Sequence, residues 1–221
     1  MKLCICFLAV VLLALVPATV VPVNGEDAAT SDEAHSFRLT STTFANNATL
    51  PLSMIANNPA LGTCTSNGAT GGNESPELSW TNAPARTRSF AVILYDVDAA
   101  FTHWGIYNIS ADTTELPQNA GVKGSAAGAQ IYNDFDFGPE YDGPCPPTNI
   151  QPVRHRYVFT VYALDTDLTV LFQGQVFPPH FSSFSEGLYH SLLSAGRQRH
   201  ILASASLAGF YSATAPPGPG E

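Results

Sequence analysis

Residues 89–109, SFAVILYDVDAAFTHWGIYNI, decide the fold. Ser89 to Tyr95 is an unbroken apolar run of β-branched and aromatic side chains, the composition of a strand buried on both faces and therefore central. It stops at Asp96-Val97-Asp98, and a second strand begins at His103. So short a connection favours an antiparallel hairpin. Asp96 and His103 then lie at the same end of one sheet.

A second stretch converges on that end. Tyr141 to Leu164 reads YDGPCPPTNIQPVRHRYVFTVYAL: a Gly/Pro-rich loop from Gly143 to Pro147, then an apolar run from Tyr157 to Leu164 that reads as another buried strand. His155 and Arg156 stand at its mouth, where loops carried on a rigid strand place binding groups. If the strands at 103–109 and 155–164 both run antiparallel to 89–95, then Asp96, His103 and His155 gather at one sheet edge. A carboxylate with two imidazoles, beside backbone N–H groups of Gly143 and its neighbours, suits a phosphate, carboxylate or sulfate group of a small ligand. Taken singly, each residue has a structural reading. Either histidine can be a satisfied core residue, and Asp96 and Asp98 can be turn formers. Arg156 points away from His155, and His200 reads as packing or a helix-end residue.

The 221 residues suffice for one sizeable domain, and 45% hydrophobic content allows a core. A formal net charge of −9 argues against nucleic acid or an anionic membrane surface as the main partner. Residues 1–25 read as a secretory signal peptide: Lys2, an apolar run from Leu3 to Val16, then small residues with a cleavage site near Ala18 or Gly25. The run is shorter than the ~20 residues of a membrane span. No second long apolar stretch follows, so the expected mature protein is secreted, soluble and without a transmembrane anchor. Cys4 and Cys6 leave with the signal peptide, and the remaining pair, Cys64 and Cys145, suggests one disulfide joining the 57–75 loop to the Gly/Pro loop. Among the sequons at Asn47, Asn73 and Asn108, Asn47 is the best glycan acceptor; Asn73 is followed closely by Pro76, and Asn108 ends a buried strand.

Elsewhere, residues 26–36 form an acidic flexible leader, FRLTSTTF (37–44) alternates as a strand, and 45–75 is mostly loop with a short extended piece near 50–55. A strand centres on Leu78–Trp80, and 112–130 is surface connection. Ser183 to Ala195 has capping-box spacing and helical periodicity. His200 to Tyr211 reads as a short helix turning into a strand, and residues 212–221 as a disordered Pro/Gly-rich tail. The whole is a mainly β, antiparallel two-sheet sandwich over 37–211 with a few peripheral helices.

The ordered set Ser75-Pro76-x-Leu78-Ser79-Trp80, Asp96-x-Asp98-Ala99, His103-Trp104, Tyr107-Asn108-Ile109, Tyr141-x-Gly143-Pro144-Cys145-Pro146-Pro147 and His155-Arg156-Tyr157 resembles the phosphatidylethanolamine-binding protein family. It is most similar to the branch typical of bacteria and archaea, as is His200 to Tyr211. The resemblance implies a two-sheet sandwich with a small anion pocket. Asp96, His103 and His155 match its acid and two histidines, and Asp98, Gly143, Pro144 and Tyr157 its rim and walls. The implied ligand is a phosphorylated or other anionic small molecule, including a phospholipid head group. Some relatives also regulate kinases or proteases by contact, so a protein partner is the alternative. Two departures stand out. The usual Asp-Pro-Asp-x-Pro is Asp96-Val97-Asp98-Ala99-Ala100 here, and the Gly two residues before the second histidine is Val153. An enzyme ranks last: HxH, HExxH and GxSxG patterns are absent and no nucleophile stands beside a base. No catalytic residue, metal ligand or cofactor is assigned.

Overall fold

The computed structural model describes residues 35–57, 64–66, 69–135, 138–168 and 200–213. The chain divides into two units, Met1–His35 and Ser36–Glu221, and the strands belong to the second. The expected signal peptide, most of the expected leader, the helix expected over 183–195 and the tail beyond Ala213 lie outside the described residues.

In chain order the strands are β1 (Arg38–Thr40), β2 (Ala48–Thr49), β3 (Thr65–Ser66), β4 (Ala69–Thr70), β5 (Leu78–Thr81), β6 (Ser89–Asp96), β7 (Phe101–Ser110), β8 (Glu115–Leu116), β9 (Ala129–Gln130), β10 (His155–Leu164) and β11 (Ile201–Tyr211). One sheet has the order β2-β11-β10-β6-β7-β9, a second the order β1-β5-β8, and β3 pairs with β4. Pairing is antiparallel throughout except between β2 and β11. As the apolar run predicts, β6 is central: it lies between β10 and β7 and is buried on both faces along nearly its whole length. Strand β10 instead alternates, with a fully buried inner face and a half-buried outer one.

The main core fills the space between the two sheets. Leu39, Leu78, Trp80 and Leu116 from the smaller sheet meet Phe90, Val92, Leu94, Ile106, Phe159 and Val161 from the larger one. The rings of Trp80 and Phe90 lie 5.1 Å apart and those of Phe44 and Phe159 5.5 Å apart. Each such large side chain, buried completely, contributes about 1.5–3 kcal/mol of transfer free energy. A smaller cluster of Ala91, Ile93, Ile131, Leu164 and Leu168 covers part of the other face of the larger sheet. Among the described residues no helix is long and apolar enough to cross a membrane.

Several segments differ from the sequence expectation, among them 112–130, which supplies β8 and β9 and buries Leu116 in the main core. The strand expected over 37–44 stops at Thr40 because Ser and Thr side chains take over the hydrogen bonding. Ser41 Oγ donates to Glu77 O (2.5 Å), and the N–H and hydroxyl of Thr42 both donate to Glu77 Oε2 (2.6 and 2.9 Å). The extended piece near 50–55 is a 3-10 helix, Leu52–Met54, closed by Met54 N–H to Pro51 O and Ile55 N–H to Leu52 O. Residues 201–211 are strand throughout, with no helical start, since β10 offers a partner along their whole length.

Cys64 and Cys145 form the expected disulfide, with Cα atoms 5.7 Å apart and a sequence separation of 81. A cross-link closing so long a loop restricts the unfolded chain strongly. Cys145→Ser is expected to cost roughly 2–5 kcal/mol of stability, read as a lower urea midpoint. An unchanged midpoint would mean that the hydrogen bonds of these loops suffice alone.

Candidate functional site

Register brings the predicted trio together. Strand β10 pairs with β6 so that Tyr157 lies opposite Asp96, and His155, two residues earlier, points to the same inner face. Between the pairs Leu94–Trp104 and Tyr95–Thr102 the β6–β7 register shifts, leaving His103 as the extra residue of a bulge. Bulges re-aim side chains beside sites, and this one leaves Thr102, His103 and Trp104 all buried. Asp96, His103 and His155 are only 2%, 3% and 4% exposed.

Asp96 organises the group. Its Oδ2 accepts the Nδ1–H of His155 at 2.6 Å, while its Oδ1 accepts the backbone N–H groups of Asp98 and Ala99 at 3.0 and 3.1 Å. The second set holds the 97–100 turn without the two prolines that the family pattern would place there. His103 is held differently. Its Nδ1–H donates to Asp142 O at 2.8 Å, and Asp142 N–H donates back to His103 O at 3.2 Å. A carbonyl can only accept, so Nδ1 carries the proton and Nε2 of the neutral ring carries the lone pair. Burial pushes the His103 pKa down to about 4, against the raising influence of the Asp142 carbonyl and the Asp96 charge. These bonds engage Nδ1 of each ring.

Aromatic rings wall the imidazoles. Phe101 and Phe135 lie 5.0 and 5.3 Å from the His103 ring, and Tyr157 lies 5.3 Å from it and 6.3 Å from that of His155. Burial, and then the Asp96 charge, push the Tyr157 hydroxyl well up, so it stays protonated. Asp98 is exposed, and its Oδ2 accepts the N–H of Arg156 at 2.7 Å, clipping the turn to the start of β10. Arg156 is exposed on the opposite face from His155, as the alternation predicts. His200 pairs with Asp165 at 2.7 Å, away from the trio.

Gly143 corrects one expectation. Its N–H is no free donor for an anion, because it donates to Asn73 Oδ1 at 2.8 Å. It must be glycine for another reason: a Cβ there would collide with the backbone of Met54–Ala56. Pro144 is buried beside it and accepts Ala56 N–H at 3.1 Å. The loop is further tied by Tyr141, whose hydroxyl donates to Met54 O at 2.8 Å.

Sequence reading missed Asn73, Asn133, Phe135 and Asp142 as site residues. Asn133 Nδ2 donates to Asp142 Oδ2 at 2.7 Å and to Glu140 O at 3.0 Å, and its Oδ1 accepts Phe135 N–H at 2.9 Å. Only that last bond, an Asx turn, has a local signature in Asn133-Asp134-Phe135. Among the sequons, Asn47 is exposed, whereas Asn108 Oδ1 accepts Leu168 N–H at 2.8 Å. Among the described residues no three His, Cys, Asp or Glu side chains are grouped to hold a metal ion. A groove of about 500 Å³ beside β1 and β11, lined by Phe37, Phe44 and Leu207 among others, contains none of the site residues.

A two-sheet sandwich with an Asp and two His gathered at one end of β6, β7 and β10 is the arrangement that the resemblance implies, and comparison with known proteins agrees on the family. The family model described as phosphatidylethanolamine-binding protein matches residues 40–212. The chain belongs to the phosphatidylethanolamine-binding protein family. It is 36% identical over 152 residues to the UPF0098 protein YbhB of Escherichia coli, covering 66% of this chain and 85% of that protein. To YbcL of the same organism it is 42% identical over 108 residues, spanning 45% of this chain and 57% of YbcL. A UPF0098 protein of Methanothermobacter thermautotrophicus is 34% identical over 145 residues, 64% of this chain and 84% of that protein. The crystal structure of E. coli YbcL, described as a new member of the mammalian PEBP family, superposes with a TM-score of 0.58. The identity is 29%, over 80% of this chain and 98% of that one.

The depressed His103 pKa has a sign that can be measured. Between pH 6.5 and about 4 the unfolded chain takes up a proton at this residue that the folded chain refuses. The contribution of His103 to stability is therefore complete above pH 6.5 and is lost as pH falls toward 4. NMR titration is expected to keep the His103 ring neutral down to about pH 4. A midpoint near 6.5 would remove the burial argument.

Proposed function

We propose that this protein is an exported binding protein whose Asp96–His103–His155 site takes a phosphate or other anionic head group of a small ligand. One observation carries the reading: both buried imidazoles are tied back through Nδ1, to Asp96 Oδ2 and to Asp142 O, which leaves Nε2 of each ring as the nitrogen to meet a ligand. The two rings play different parts. When His155 takes a second proton, its Nε2–H is a charge-assisted donor backed by Asp96. His103 stays neutral and offers a lone pair. A monoprotonated phosphate matches that pair, with an anionic oxygen for one ring and an O–H for the other. Phosphoethanolamine adds an ammonium group that the exposed Asp98 carboxylate would meet at the rim. Support for export comes from the apolar leader and from the Cys64–Cys145 disulfide, a bond that persists in oxidising compartments.

Titration of the full chain with inorganic phosphate and with phosphoethanolamine, followed by the ring signals of His103 and His155, tests this. Both rings are expected to shift, and Asp96→Ala to weaken binding by about tenfold or more, the effect of losing a charge-assisted hydrogen bond. No response at either ring would refute the proposal.

A further inference from the structure

Asn73 lies far from the trio in sequence, and its first apparent use is as the acceptor of the sequon Asn73-Glu74-Ser75. The structure gives every polar group of that side chain another task. Its Oδ1 accepts the N–H of Gly143 at 2.8 Å, and its Nδ2 donates to Tyr141 O at 3.3 Å. Its own N–H donates to Ile55 O at 2.8 Å. Asn73 adopts a φ of 54°, in the left-handed region that Asn tolerates better than most residues. One amide thus bridges both sides of residue 142. That residue supplies the carbonyl which receives the Nδ1–H of His103. Ser75, the third sequon residue, is fully buried, and its Oγ accepts the N–H of Gly121 at 2.9 Å.

We propose that Asn73 is a positioning residue of the site. By clamping the 141–143 backbone it holds the Asp142 carbonyl on His103 and so fixes that imidazole as the Nδ1–H tautomer, with its lone pair on Nε2. The same bonds close this sequon to glycosylation in the folded protein, because a transferase needs both the Asn73 amide and the Ser75 hydroxyl. Asn73 acts through the rim and touches no ligand. The effect on affinity rests on the binding reading above, whereas the effect on the tautomer does not.

The experiment compares full-length wild type, Asn73→Ala and Asn73→Asp by ¹H–¹⁵N NMR of the histidine rings, with inorganic phosphate as the probe. Wild-type His103 is expected as the Nδ1–H tautomer alone. Asn73→Ala is expected to show a mixture of tautomers and about tenfold weaker phosphate binding, the loss of one or two oriented hydrogen bonds. Asn73→Asp keeps an acceptor for Gly143 N–H but loses the donor to Tyr141 O, and falls between the two. Should the alanine variant not fold, the aspartate variant decides. An unchanged His103 tautomer in the folded variants overturns the proposal, as does a folded wild-type chain carrying a glycan on Asn73. If wild type binds no phosphate, the binding reading fails while the tautomer still reports on Asn73.

Discussion

The buried carboxylate of Asp96 is the constraint on which the site depends. Taking a carboxylate out of water costs several kcal/mol unless its lone pairs are filled, and here one imidazole and two backbone N–H groups fill them. Those donors come from two different pieces of chain, the 97–100 turn and the start of β10. Satisfying one charge therefore fixes the hairpin connection and aims His155. The prolines absent from positions 97 and 100 would have stiffened this turn by restricting φ. Asp96 does the equivalent work through hydrogen bonds, and Ala100 accepts a φ of 52° in consequence.

His103 shows the opposite solution to burial. Among the described residues no carboxylate pairs with it directly; it is left neutral, with its Nδ1–H on the Asp142 carbonyl. The site thus holds two imidazoles from separate strands that differ in chemistry, one backed by an anion and one by a peptide dipole. That difference follows from the strand each occupies. His155 opens β10 opposite the end of β6, whereas His103 sits in a bulge that turns it toward the 141–143 loop.

What could be read from sequence was what periodicity and strand ends encode. The apolar runs of β6 and β10, the hairpin at 96–103 and the convergence of Asp96, His103 and His155 all follow from side chains local to one strand. The clamp from Asn73 to Gly143 spans 70 residues, and nothing local to either residue announces it. The expected donor role of Gly143 failed for the same reason, since whether an N–H is free depends on what the rest of the chain brings to it. Small residues misled at the other end of the domain. Ala203, Ala205 and Ala208 have high helix propensity, yet strand pairing with β10 overrides it. The strand expected at 37–44 was cut short by Ser41 and Thr42 bonding to Glu77, a partner that alternation alone does not reveal.

The Cys64–Cys145 bond draws a covalent ring around β3 to β9, and the ring cuts through the site. Asn73, Asp96, His103, Asp142 and Gly143 lie within it, while His155 and Tyr157 lie on the chain that leaves it. A peptide-bond break in the exposed turn at Val122–Gly124 would open the ring without releasing a fragment, because the disulfide still joins the two pieces. In an oxidising medium rich in proteases, a molecule nicked at that turn would keep all its site residues on one covalent body, and a reductant would have to follow the cut to part them.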